Sequence, residues 1–191
     1  MVTGHRELVH PGLVAERLAH VLGKLGASQA ISGGARGADA VFADVAVAGG
    51  YPLHLMLPNR WYRSYYPGVV SDVTMAAAEV VTYVVERPDV ADWRARWGTE
   101  RWWRDNFSRN TAMIVASDVT VIVSPRPPHV LLGETSGGTA GCVKELRRRR
   151  GDEHRVVWGP DCDQRTTLWT SLRIPAQPSA SPAKAEPLTL L

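Results

Sequence analysis

The chain has 191 residues, 45% hydrophobic and 21% charged. Those proportions fit one ordinary globular domain and exclude a wholly disordered polypeptide. The net charge is only +3, from 22 basic and 19 acidic residues, which excludes a general attraction to nucleic acid unless the charge clusters.

Val2-Thr3-Gly4 reads as the end of a very short first strand. Residues 11–25 follow with Leu13, Val14, Leu18, Val21, Leu22 and Leu25 at helical spacing; Pro11 suits the first turn and Gly26 the C-terminal cap. Residues 29–32 form a second strand that ends in glycines, 38–48 a helix stopped by Gly49-Gly50, and 52–57 a third strand stopped by Pro58. Residues 70–79 read as a helix and 80–85 as a fourth strand. A Trp-rich stretch from Trp93 to Trp103 leads into a helix through Ala116, and 118–123 form a fifth strand. A loop with Pro125, Pro127 and Pro128 then precedes Ser136-Gly137-Gly138-Thr139, which opens a helix through Arg150; 155–158 form a sixth strand.

Apolar strands alternating with helices imply a single α/β domain over 1–173, with a doubly wound, mostly parallel, Rossmann-like sheet. Residues 174–191 carry four prolines among Ala and Ser and read as a disordered tail. No window approaches 18 uninterrupted apolar residues, and the opening residues lack a long apolar core, so no membrane partner and a cytoplasmic location are expected. Two cysteines, Cys142 and Cys162, are too few for a disulfide scaffold or a zinc knuckle; no metal site is expected.

In a doubly wound sheet, ligands bind beyond the carboxyl ends of the strands. Three unusual segments fall there: Thr3-Gly4-His5-Arg6 after the first strand, Ser32-Gly33-Gly34-Ala35-Arg36-Gly37-Ala38-Asp39 after the second, and Ser136-Gly137-Gly138-Thr139 after the fifth. Glycines let a backbone approach a ligand closely, and N–H groups at a helix start favour phosphate. Each turn read alone is an ordinary tight strand-to-helix connection; together on one edge they point to a pocket. The glycine spacing in 33–38 is neither the dinucleotide fingerprint nor a P-loop, which lacks its Gly-Lys-Ser/Thr ending here.

These segments, with Arg109-Asn110 and Met113 further along one helix and Ser117-Asp118 before a strand, resemble the SLOG superfamily, which also contains DNA-processing protein A and the LOG phosphoribohydrolases. Their order is most similar to the YpsA-like branch, over Val2 to Trp158. The resemblance implies a pocket for a nucleotide or a nucleotide-derived ligand of the ADP-ribose or NAD kind. By the resemblance its residues would be Thr3, Gly4, Arg6, Gly33, Gly34, Gly37, Asp39, Arg109, Asn110, Gly137, Gly138 and Thr139; the chemistry of the turns adds His5, Ser32, Arg36 and Ser136 as ligand-binding candidates. Asp39 suits a helix first turn equally well without any ligand.

The chain departs from the LOG enzymes at one informative position. Their motif is G-G-x-G-T-x-x-E, and the acid that helps cleave the N-glycosidic bond falls on Cys142 here, with Glu145 a turn beyond. No catalytic residue is therefore assigned; His5 reads as polar lining, Glu134 as the other nearby carboxylate, and Cys142 as a small buried side chain. Binding or sensing of a nucleotide-like small molecule, with no certain cofactor and in a homo-oligomer, is the first reading. A LOG-type nucleoside-phosphate hydrolase is the alternative, and single-stranded DNA binding, as in DNA-processing protein A, the second alternative. The four arginines at 147–150 read as a helix end on a solvated face, and would track nucleic acid only with Arg155 and Arg165 beside them. Trp61, Tyr62, Tyr65, Tyr66, Trp93, Trp97, Trp102 and Trp103 read as packing, with a dimer interface, base stacking or a lid as the other uses.

Overall fold

The computed structural model describes residues 1–65, 68–85, 100–151, 154–159, 170–173 and 186–187. The first strand, β1 (Val2–Gly4), leads to helix α1 (Pro11–Leu25), and β2 (Ala30–Ser32) leads to α2 (Ala38–Ala48). Then come β3 (Leu53–Leu57), the short helices α3 (Tyr62–Tyr65) and α4 (Asp72–Ala77), and β4 (Val80–Tyr83). Helix α5 (Glu100–Val115) enters β5 (Val119–Val123), and the one-turn helix α6 (Pro128–Gly133) precedes α7 (Gly138–Arg150) and β6 (Arg155–Gly159). Two further strands, β7 (Thr170–Arg173) and β8 (Glu186–Pro187), end the described chain.

The strands run β4-β3-β2 in one hydrogen-bonded set and β1-β5-β6-β7-β8 in the other, with β1 and β2 side by side between them. Every pairing from β1 through β6 is parallel; β7 and β8 add antiparallel edges. The chain is thus a doubly wound, mostly parallel α/β sheet. Alternation along β5 shows how it is covered. Val121 and Val123 pack with the apolar faces of α1 and α2, while Ile122 packs the other way with Met113 and Ile114 of α5 and Val143 and Leu146 of α7. Strands buried on both faces need continuous apolar runs, which is why VTVIV reads as a central strand.

Helix ends follow the chemistry of their residues. Pro11 opens α1, and Gly26 closes it at φ 59°, so that the Ala27 N–H reaches the Leu22 carbonyl. Ser71 caps α4 by accepting the Thr74 N–H at 3.1 Å.

The structure also corrects several expectations. The proline loop contains α6, because Pro128 is tolerated in a first helical turn. Strand β7 has no counterpart in the sequence reading. Two residues of the expected tail, Glu186 and Pro187, are not loose but pair with β7; the rest of 174–191 lies outside the described residues. So do Tyr66, Trp93, Trp97, Cys162 and Arg165. Among the described residues, no helix is long and apolar enough to cross a membrane.

Candidate functional site: a cleft at the carboxyl ends of β1 and β5

From β1 the chain winds through β2, β3 and β4 on one side, then returns to β5 on the other side of β1. Loops leaving β1 and β5 part at this reversal and leave a crevice. A cleft of about 910 Å³ occupies it, a size typical of small-molecule sites. Thr3, Gly4, His5 and Arg6 line it from β1, Asp39 from α2, Arg109 and Asn110 from α5, and Ser136, Gly137, Gly138 and Thr139 from the start of α7.

The remaining expected residues lie elsewhere. Ser32, Gly33, Gly34, Arg36 and Gly37 do not line the cleft; the first glycine turn is instead packed against the protein itself. The Ser32 hydroxyl donates to the Asp39 carbonyl at 2.7 Å and accepts the Gly34 N–H at 3.1 Å. A Cβ on Gly34 would stand 2.7 Å from a Leu57 methyl. Gly37 has φ +85°, and a Cβ there would stand 2.2 Å from the His5 carbonyl oxygen. That close crossing lets the Ala38 N–H donate to the same carbonyl at 3.0 Å, which pins α2 to the end of β1. Arg36 instead pairs at 3.5 Å with exposed Glu7, which does line the cleft.

Arg109 ties this turn to the cleft wall. Its Nη1 donates to the Gly33 carbonyl at 2.5 Å and lies 3.4 Å from the Asp39 carboxylate, both side chains being buried. Burial raises the Asp39 pKa above the ordinary carboxylate range, outweighing the opposing pull of Arg109, the Ala35 N–H and Arg6. Arg109 Nε has no hydrogen-bond partner among the described residues.

The second glycine turn is open. Gly137 adopts φ 111°, and a Cβ on Gly137 or Gly138 would meet nothing within 4 Å. Helix α7 starts there without a side-chain cap, its first intrahelical bond running from the Gly141 N–H to the Gly137 carbonyl at 2.9 Å. The N–H groups of Gly138, Thr139 and Ala140 precede that bond, so the helix geometry supplies them no partner and aims them past the helix end.

Several lining residues escaped the sequence reading as site residues. Arg126 and Glu134 flank α6, line the cleft and pair at 2.9 Å. Lys144 donates to the Glu134 carbonyl. Ala35, Met113 and Leu131 add apolar wall, and Trp103 forms part of the rim. Only folding brings these together, although the sequence marked Trp103 as part of an aromatic run, Met113 as part of the Arg109-Asn110 segment and Glu134 as a nearby carboxylate. Cys142 is buried in the wall, where burial pushes its thiol up to about 11 against the hydrogen bond with Thr3. The LOG acid position thus carries a neutral thiol. Glu145 bonds Arg148 and Thr111, and Arg148 holds its carboxyl down to about 2; it does not line the cleft. His5 Nε2 lies 3.4 Å from the Ser124 hydroxyl. Residues 147–150 sit at the opposite end of α7, where Arg150 donates to the Ser117 carbonyl ahead of β5. Among the described residues no cluster of His, Cys, Asp and Glu could hold a metal ion.

No protein-family model and no curated protein matches this sequence. Among solved structures the chain is similar to DNA processing protein A from Helicobacter pylori, with a TM-score of 0.53 and 18% identity. The match covers 77% of this chain and 59% of that one, so the chain spans about three fifths of its length. That structure is described by its single-stranded DNA binding mode. At this identity the likeness concerns the backbone alone: the chain has a Rossmann-like α/β fold similar to that of DNA processing protein A.

Proposed function

We propose that the cleft binds a nucleotide or nucleotide-derived molecule of the ADP-ribose or NAD kind, as a ligand-sensing module of the YpsA-like branch. The observation that carries this reading is the uncapped start of α7, where Gly137 and Gly138 face open space inside a cleft. A phosphate there accepts from the backbone N–H groups of the first turn and meets the positive end of the helix dipole. Arg6, which also lines the cleft, adds charge. The hydrolytic alternative lacks a comparable support, because its acid position is Cys142.

Calorimetric titration with a nucleotide panel tests the reading, with Gly138→Val as the control variant. The substitution places its side chain in the open cleft, so affinity falls at least about tenfold, equal to about 1.4 kcal/mol, while the melting temperature holds. Unchanged affinity in the folded variant removes the phosphate from this turn.

The structural likeness to a protein that binds single-stranded DNA favours a second reading, in which the same cleft takes one nucleotide of a strand. The two differ in salt dependence. A strand neutralised at several phosphates loses affinity with a log–log slope of about 0.7 per phosphate, whereas one small ligand shows a shallow slope. The arginines at 148–150 already bond Glu145 and Ser117, so their replacement by Ala leaves small-ligand binding intact.

A further inference from the structure

We infer that Trp103 is the base-stacking platform of the cleft, so that the site selects a nucleoside phosphate over a bare sugar phosphate. This rests on the reading of the cleft as a nucleotide site and names the part of the ligand that the open turn does not touch.

The register between α5 and α7 places the ring. Thr111 lies 3.5 Å from Glu145, and one turn earlier Phe107 sits over Gly141, where a Cβ would stand 2.4 Å from its ring. One further turn back on each helix brings Trp103 level with Gly137. Both helices start at the same edge of the sheet, so Trp103 stands beside the open N-terminus of α7, and both line the cleft. Packed helix axes lie about 8–10 Å apart, a gap that the ribose of a nucleotide bridges between base and phosphate.

The ring is held and yet accessible. Trp102 meets it edge-on, with centroids 4.5 Å apart and planes at 77°, and is itself buried against Leu57 and Tyr62. The Arg6 guanidinium lies 5.9 Å from the Trp103 centroid, within cation–π range. Trp103 nevertheless keeps 40% of its surface exposed. An anchored aromatic ring that lines a cleft and keeps exposed surface suits a planar apolar ligand group. A purine stacks there while its 5′-phosphate reaches Gly138.

The test compares adenosine 5′-monophosphate with ribose 5-phosphate by calorimetry on the full chain. The native protein is expected to bind the nucleotide about tenfold more tightly, the order of one base–aromatic stack. Trp103→Ala brings the nucleotide down to the affinity of ribose 5-phosphate, which itself stays unchanged, and Trp103→Phe restores most of the difference. A thermal melt confirms folding of each variant. If Trp103→Ala leaves the ratio of the two affinities intact, the base lies elsewhere and the inference falls while the phosphate site stands. If neither compound binds the native protein, the nucleotide reading falls, and the stacking role with it.

Discussion

The two glycine turns at the carboxyl edge of the sheet look alike in sequence and are opposites in space. Ser32-Gly33-Gly34 is buried, and its absent side chains make room for Arg109, Asp39 and Leu57. Ser136-Gly137-Gly138 is exposed, and its absent side chains make room for nothing in the protein. A glycine pair at a strand-to-helix turn therefore has two physical uses, close packing of the chain on itself and access for a ligand. Only the surroundings separate them. The first turn fixes where α2 meets β1 and so builds the cleft wall; the second leaves the helix end open to the cleft.

The largest expected effect breaks the first turn. Gly37→Val combines a β-branched residue at φ +85° with a Cβ driven against the carbonyls of His5 and Arg6. Backbone strain of about 1–3 kcal/mol adds to an overpacking cost of similar size, giving a loss of about 4 kcal/mol. At roughly 2–4 °C per kcal/mol for a chain of this length, the melting temperature drops by roughly 8–16 °C. A Gly37→Val protein that melts with the native one would show that α2 does not depend on this crossing.

A smaller loss follows from Arg109→Met, which removes the guanidinium holding the Gly33 carbonyl and strands the Asp39 carboxylate. Stripping one partner from a buried pair costs about 3 kcal/mol near neutral pH. The sign with pH follows from the raised Asp39 pKa. The folded protein holds the Asp39 proton more tightly than the unfolded chain, whose value is about 3.9. The group's contribution to stability is therefore most favourable below about pH 4 and is lost as pH rises through the raised folded value. Without Arg109 the buried charge costs more, so the deficit of the variant is expected to shrink in acid. Urea unfolding at pH 4 and pH 8 measures it; an equal deficit at both values would mean that the Asp39 charge is not what Arg109 offsets.

The fold was readable because the pattern is strong where burial is two-sided. VTVIV and the 3.6-residue spacing of α1 leave little choice. Helix α6 was not, since six residues opened by proline carry no measurable period, and β7, Thr-Ser-Leu-Arg, alternates too weakly to stand out. For the cleft, the motif segments fall at the edge of the sheet where it opens. What they did not carry is which groups reach the cleft: Ser32 and Gly34 spend their polar groups on the turn itself, and Arg36 spends its charge on Glu7. Trp103 could be seen only as one aromatic among many, because its position depends on the register of α5 against α7, a property of two helix surfaces rather than of either sequence. Cys142 reads as a small buried residue, and it is one.

The sharpest contrast between the turns comes from the smallest change, an added methyl group. Gly138 lies at the first position of α7, its φ is outside the left-handed region, and a Cβ there meets nothing within 4 Å. Alanine narrows the unfolded chain's freedom without strain in the folded one, so Gly138→Ala is expected to stabilise the protein by about 0.5 kcal/mol, as such replacements do at compatible sites. The same change at Gly34, with φ +63° and a Leu57 methyl 2.7 Å away, is expected to destabilise it. Ligand affinity should move the other way: Gly138→Ala weakens nucleotide binding because the methyl group enters the space the phosphate needs. Paired denaturant titrations and binding isotherms read both quantities. A Gly138→Ala protein that is less stable than the native one would mean that the open turn carries a packing role after all, and the division of labour between the two glycine turns would fail at its simplest point.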